Sequence, residues 1–176
     1  MYGVQKMTNF KILAVDPGGT TGIATYSALR IMNPNTNQYE YMDESFWGTQ
    51  LGPEKHHDEL DMLLGMQHVE NYTIVCESFE YRNRSRAGLV LVSQQYIGVI
   101  ERFAQERKVQ LVMQSSSVGK ITKKSFVRKE NLERLGLWEI GMGGRLNHMA
   151  DAYGHILQYM VKNNIQKSDL LERGWR

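Results

Sequence analysis

The segment Ile12-Leu13-Ala14-Val15-Asp16-Pro17-Gly18-Gly19-Thr20-Thr21-Gly22-Ile23-Ala24 constrains this chain more than any other. An apolar run ends in a single carboxylate, turns through glycines and resumes as a second apolar run, a pattern that reads as two strands joined by a tight connection. A buried strand that ends in Asp and hands over to residues without a Cβ leaves room for a metal ion or a polyphosphate to approach backbone. Asp and Gly also make ordinary hairpin turns, so the segment alone fits either role.

The flanking sequence places this pair in a mixed α/β sheet. Residues 11–16 and 22–28 are the first two predicted strands, and 38–47, with Tyr39, Tyr41, Phe46 and Trp47, is the third, which makes an antiparallel meander. Leu60, Leu63 and Leu64 predict a helix over 56–69. A strand over 72–77 follows and again ends in a carboxylate, Glu77. A helix over 87–105, a strand over 109–113 and helices over 123–135 and 146–161 complete the order, with Gly141-Met142-Gly143-Gly144 as a link before the last helix. Strands separated by helices can pair in parallel, whereas the first three form hairpins. The helix over 87–105 is apolar around much of its circumference, through Leu89, Val90, Leu91, Val92, Tyr96, Ile97, Val99, Ile100 and Phe103. It needs cover on more than one side, from loops or, more economically, from the sheet and a symmetry mate.

A chain of 176 residues, 41% of them hydrophobic, is long enough to bury a core and short enough to be one domain over 1–176. Its single cysteine, Cys76, excludes an internal disulfide, argues against a cysteine-based zinc site and suits a reducing cytosol. Neither a signal-peptide h-region nor an apolar run of about 20 residues is present, so a cytoplasmic location without membrane partners is expected. Net charge is only +2, but it is unevenly spread: residues 38–80 hold ten acids against Lys55, and residues 81–145 hold thirteen Lys and Arg against five acids. A basic half suits a polyanion such as nucleic acid, and it equally describes solvated helix faces.

Asp16, Glu77 and Asp151 are the acids whose positions coincide with element ends, and His148 lies one turn before Asp151 on the same predicted helix face. The apolar stripe of Met149, Ala152, Tyr153, Ile156 and Met160 lies on another face, and His155 is expected on the polar one. Three carboxylates and one imidazole make a hard donor set for Mg²⁺, or for Mn²⁺ with its greater taste for nitrogen. Two such ions about 3.5–4 Å apart can activate water and stabilise the leaving oxygen of a phosphodiester. Glu77 as a surface acid and His148 as a satisfied surface histidine are ordinary alternatives taken one at a time; their agreement in order and position favours the site.

With Asp16-Pro17-Gly18-Gly19-Thr20-Thr21-Gly22, Ile74-Val75-Cys76-Glu77-Ser78-Phe79 and His148-Met149-Ala150-Asp151-Ala152, the sequence resembles the RuvC-type Holliday junction resolvases of the ribonuclease H-like superfamily, especially compact phage-type members, over roughly residues 10–162. The resemblance implies a ribonuclease H-like mixed five-stranded sheet flanked by helices. It implies a homodimeric, metal-dependent crossover junction endonuclease that makes paired symmetric nicks in four-way DNA junctions and works in the cytoplasm of a bacterium or a phage-infected host. Asp16, Glu77, His148 and Asp151 would be catalytic and would hold two Mg²⁺ ions, with Mn²⁺ able to substitute. Phe79, Tyr81, Arg82, Arg84, Arg86, Lys120, Lys123 and Lys124 fall where this family contacts DNA, and Lys120 could also stabilise charge on the attacked phosphate. Phe79 fits ordinary packing equally well. The match is loose over Ser115-Ser116-Ser117-Val118-Gly119-Lys120, which leaves cleavage-sequence preference unread.

Three other readings compete. A related two-metal nuclease for flaps, forks or RNA/DNA hybrids would use the same site. A non-catalytic protein that binds branched DNA would be expected to have lost an acid. The Asp-x-Gly-Gly-Thr turn also occurs in actin-like kinases, but those need two large lobes, and 176 residues are too few.

Overall fold

Three apolar-rich segments form the antiparallel meander: β1 (Met7–Asp16), β2 (Thr21–Asn33) and β3 (Gln38–Leu51). The computed structural model describes residues 7–52, 60, 64–65, 72–78, 87–115, 129–139, 142 and 147–165. β2 and β3 run further than the sequence pattern predicts, pairing from Thr21↔Leu51 out to Asn33↔Gln38 with one irregularity between Ser27 and Leu29. Ladder hydrogen bonds and a built turn hold this extension, not burial. Asn33 Oδ1 accepts from the Asn35 and Thr36 N–H groups at 2.9 and 3.3 Å, and Asn37, at φ 52°, donates its N–H to the Asn33 carbonyl at 2.9 Å. Asn tolerates this left-handed backbone better than most residues.

β4 (Tyr72–Ser78) and β5 (Gln110–Ser115) extend the sheet in parallel, so the spatial order is β3-β2-β1-β4-β5. The connection from β4 to β5 contains α1 (Ala87–Arg107), and α2 (Lys129–Arg134) and α3 (Asn147–Lys162) follow. The fold class is the expected one, a mixed five-stranded α/β sheet flanked by helices. Leu60 and Leu64 of the predicted 56–69 helix are fully buried. The rest of that helix except Gly65, residues 123–128, and Gly141, Gly143 and Gly144 lie outside the described residues.

Alternation along the strands divides the core in two. Phe10, Ile12, Ala14, Ala24 and Tyr26 face α3 together with Leu132, Leu137 and Met142. Leu13, Val15, Ile23, Ile74 and Cys76 face the other way, toward Leu60, Leu64 and the α1 residues Tyr96, Ile100 and Ala104. β1 is therefore covered on both faces, which is why its sequence is continuously apolar instead of alternating. Ser93, Tyr96, Ile100 and Ala104 form the buried stripe of α1, flanked by half-buried Val92, Ile97, Val99 and Phe103, while Gln94, Gln95, Glu101 and Arg102 are polar and mostly exposed. The side chains of Leu89, Val90 and Leu91, three of the nine residues behind the expectation of a second cover, lie outside the described residues.

Candidate active site at the strand ends

Parallel pairing sets Val15 of β1 opposite Cys76 of β4, and Glu77 of β4 opposite Gln114 of β5. One residue past Val15 and Cys76 the side chains turn to the α3 face. Asp16, Glu77 and Gln114 thus form a row across three neighbouring strands, at the carboxyl ends where an α/β sheet leaves a crevice for ligands. α3 lies over this row, packed on β2 and β1 and reaching β3 and β4. His148, Asp151 and His155 stand at i, i+3 and i+7 along it, the spacing of one helix face.

Glycines allow the helix to come so close. A Cβ on Gly22 would overlap the His148 carbonyl and lie 2.7 Å from the Met149 nitrogen, and one on Gly48 would lie 2.6 Å from the Tyr153 hydroxyl. The space at Gly22 is therefore taken by helix backbone, not kept for a ligand as the sequence pattern suggested. Thr21 is buried beside this turn, its Oγ1 3.4 Å from both the nitrogen and the carbonyl oxygen of Gly18.

Two carboxylate–imidazole contacts result. His148 Nδ1 lies 2.6 Å from Asp16 Oδ2, with the Asp16 side chain 7% exposed and His148 42% exposed. The hydrogen bond to Asp16 is the main reason the His148 imidazole holds its proton above the ordinary range, and the charges of Asp16, Asp151 and Glu77 add to this against the opposing effect of burial. His155 Nε2 lies 3.3 Å from Glu77 Oε2, and its Nδ1 lies 2.7 Å from Gln114 Oε1. Burial raises the pKa of the Glu77 carboxyl, and the neighbouring Asp16 raises it further, while the bond to His155 pulls it back.

Asp16, Glu77, His148 and Asp151, the four residues predicted to act together, share one neighbourhood at the strand ends. His155 does not sit on a polar face as expected: it is 0% exposed. α3 is covered by the sheet and also by Leu132, Leu137 and Met142, so the buried arc is wider than its apolar stripe. An imidazole is tolerated there because both ring nitrogens meet polar partners. The signal available in the sequence was that two strands end in polar residues, Glu77 and Gln114, whose side chains need a partner once buried. Phe79, Tyr81, Arg82, Arg84, Arg86, Lys120, Lys123 and Lys124 lie outside the described residues.

The donor set suits a hard divalent cation in kind, since two carboxylates lie close together and burial, with the neighbouring Asp16, makes Glu77 harder to ionise. Among the described residues no group of three or more His, Cys, Asp and Glu side chains is arranged to hold a metal ion; Asp16 is closed onto His148 instead. No helix of the described residues is long and apolar enough to cross a membrane.

No protein-family model matches the chain, and no curated protein matches it. In structure it is similar to T. thermophilus RuvC in complex with a Holliday junction substrate, at 17% identity and a TM-score of 0.46, covering 88% of this chain and 96% of that one. It is likewise similar to a second Thermus thermophilus RuvC structure, at 17% identity and 0.45, covering 87% and 97%. A further similar structure is the fowlpox virus Holliday junction resolvase, at 12% identity and 0.47, covering 87% and 99%.

Proposed function

We propose that this chain is a metal-dependent, structure-selective DNA endonuclease that resolves four-way junctions by paired symmetric nicks. The observation that carries the reading is the placement of Asp16 and Glu77 side by side at the ends of adjacent parallel strands, beneath a helix that brings His148 and Asp151. Asp16, Glu77 and Asp151 are the oxygen donors in this proposal and His148 is the nitrogen donor. Two Mg²⁺ ions, or Mn²⁺ in their place, would supply an activated water and neutralise charge at the scissile phosphate. An imidazolium at His148 must give up one of its two ring protons before the ring can act as a ligand, so metal uptake by this site releases protons. Lys120, Lys123, Lys124, Arg82, Arg84 and Arg86 hold the phosphate backbone, and Phe79 or Tyr81 offers an aromatic face to an unpaired base at the branch. A homodimer presents two such sites to opposing strands.

Cleavage of end-labelled four-way junction, flap, fork, linear duplex and RNA/DNA hybrid in Mg²⁺, Mn²⁺ or EDTA tests this, with Asp16→Asn alongside. Paired nicks in opposing junction strands that need both metal and Asp16, with junction binding kept in Asp16→Asn, are the expected result. Preferential cutting of flaps, forks or hybrid overturns the substrate and keeps the site. Binding without any cutting, equal in wild type and Asp16→Asn, replaces the enzyme with a branched-DNA-binding protein.

A further inference from the structure

We propose that His155, itself oriented by Gln114, is a positioning residue that clamps one oxygen of the Glu77 carboxylate. The three side chains come from three elements, α3, β5 and β4, and meet in the interior, with His155 0% exposed and Gln114 9% exposed. A buried imidazole must satisfy two different nitrogens. Gln114 Oε1, 2.7 Å from Nδ1, can only accept, so Nδ1 carries a hydrogen; Nε2, 3.3 Å from Glu77 Oε2, donates to the ionised carboxylate when it too carries a hydrogen, and accepts from the Glu77 carboxyl when that group is protonated. The amide thus fixes the ring, and the ring fixes the carboxylate.

The clamp opposes a definite disturbance. Glu77 lies beside the buried Asp16, and two ionised carboxylates this close repel each other when no cation stands between them. With Oε2 held by His155, rotation of the carboxylate is restrained. Groups that orient a metal-binding side chain from behind typically matter about 10–100-fold in metal affinity. This inference rests on the metal site of the proposed function.

The experiment is a calorimetric Mn²⁺ titration of the full chain as wild type, Glu77→Gln, His155→Phe, His155→Gln and Gln114→Leu, with thermal melts of each. Imidazole ¹H–¹⁵N spectra of the metal-free proteins accompany it. His155→Phe is expected to weaken Mn²⁺ by about 10–100-fold. His155→Gln, whose amide nitrogen replaces Nε2 as a donor to Glu77, is expected to recover part of that loss, which a purely space-filling role would not produce. Gln114→Leu keeps the ring but not its orientation, so a loss in the same direction is expected, together with faster exchange of the His155 Nδ1–H. It serves as the deciding variant should His155→Phe not fold. Wild-type Mn²⁺ binding matched within about twofold by His155→Phe and Gln114→Leu overturns the clamp alone. Failure of the wild type to bind Mn²⁺ any better than Glu77→Gln overturns the metal reading, and the clamp with it.

Discussion

Adding one carbon at Gly22 should unseat α3. A Cβ there would overlap the carbonyl group of His148 and sit 2.7 Å from the Met149 nitrogen, all backbone atoms of the first turn of the helix. No side-chain rotation can relieve this overlap, so the helix start itself must move. Overpacking of a tight interior typically costs about 1–3 kcal/mol, and contacts made only by backbone belong at the upper end. Moving the turn also stretches the 2.6 Å bond from His148 to Asp16. That charge-assisted bond would be worth about 1.5–3 kcal/mol if buried. The His148 side chain is 42% exposed, so about 1 kcal/mol is a fairer figure. The sum, about 4 kcal/mol, corresponds to a fall of roughly 10 °C in melting temperature for a chain of this size. Gly98 is the matched control, because it lies exposed within α1 and a Cβ there meets nothing within 4 Å. Gly98→Ala should gain about 0.5–1 kcal/mol from helix propensity. Urea unfolding of Gly22→Ala, Gly98→Ala and wild type at one pH decides the matter. A Gly22→Ala midpoint equal to wild type with an unchanged slope would refute the close approach of helix and turn.

Four further results are expected. Burial pushes the Cys76 thiol well above its ordinary value, so iodoacetamide at about pH 8 should label the unfolded chain and spare the native one. The native state then keeps a proton that the unfolded state gives up, so stability present below about pH 9 should fall as pH rises; the urea midpoint of Cys76→Ala should fall less steeply over the same range. Leu132, the buried residue of the six-residue α2, should cost about 2–5 kcal/mol as Leu132→Ala, read by urea unfolding. Mn²⁺ at about 100 times its dissociation constant should stabilise wild type by about 2.7 kcal/mol in thermal melts and leave Asp16→Asn unmoved; equal shifts in the two would place the ion elsewhere.

The parts of this fold that were legible in the sequence are those written in short-range pattern. Ile12 to Val15 read as a covered strand because they are apolar without a break, and Asp16 and Glu77 read as strand ends because each closes such a run. What the sequence hid depends on residues far apart along the chain. Asp16 meets His148 across 132 positions and Glu77 meets His155 across 78, so nothing local in α3 reveals that a histidine off the apolar stripe is interior. Gly22 was misread for the same reason: a missing Cβ shows that something comes close, and only the packed helix shows what. The outer halves of β2 and β3 were missed because periodicity detects burial, whereas those residues are held by cross-strand pairing and by the turn at Asn33.

The chain order of these partners sets a schedule. The ribosome adds about 5–20 residues per second, so Glu77 waits several seconds for the histidine 78 positions later in the chain. Through that interval β1, β2, β3 and β4 have been made, and the two carboxylates end their strands without the helix that will cover them. Completion of α3 delivers His148, Asp151 and His155 together on one rigid rod. The centre therefore cannot be complete until α3 has been made, and a nascent chain carries Asp16 and Glu77 well before the residues that meet them.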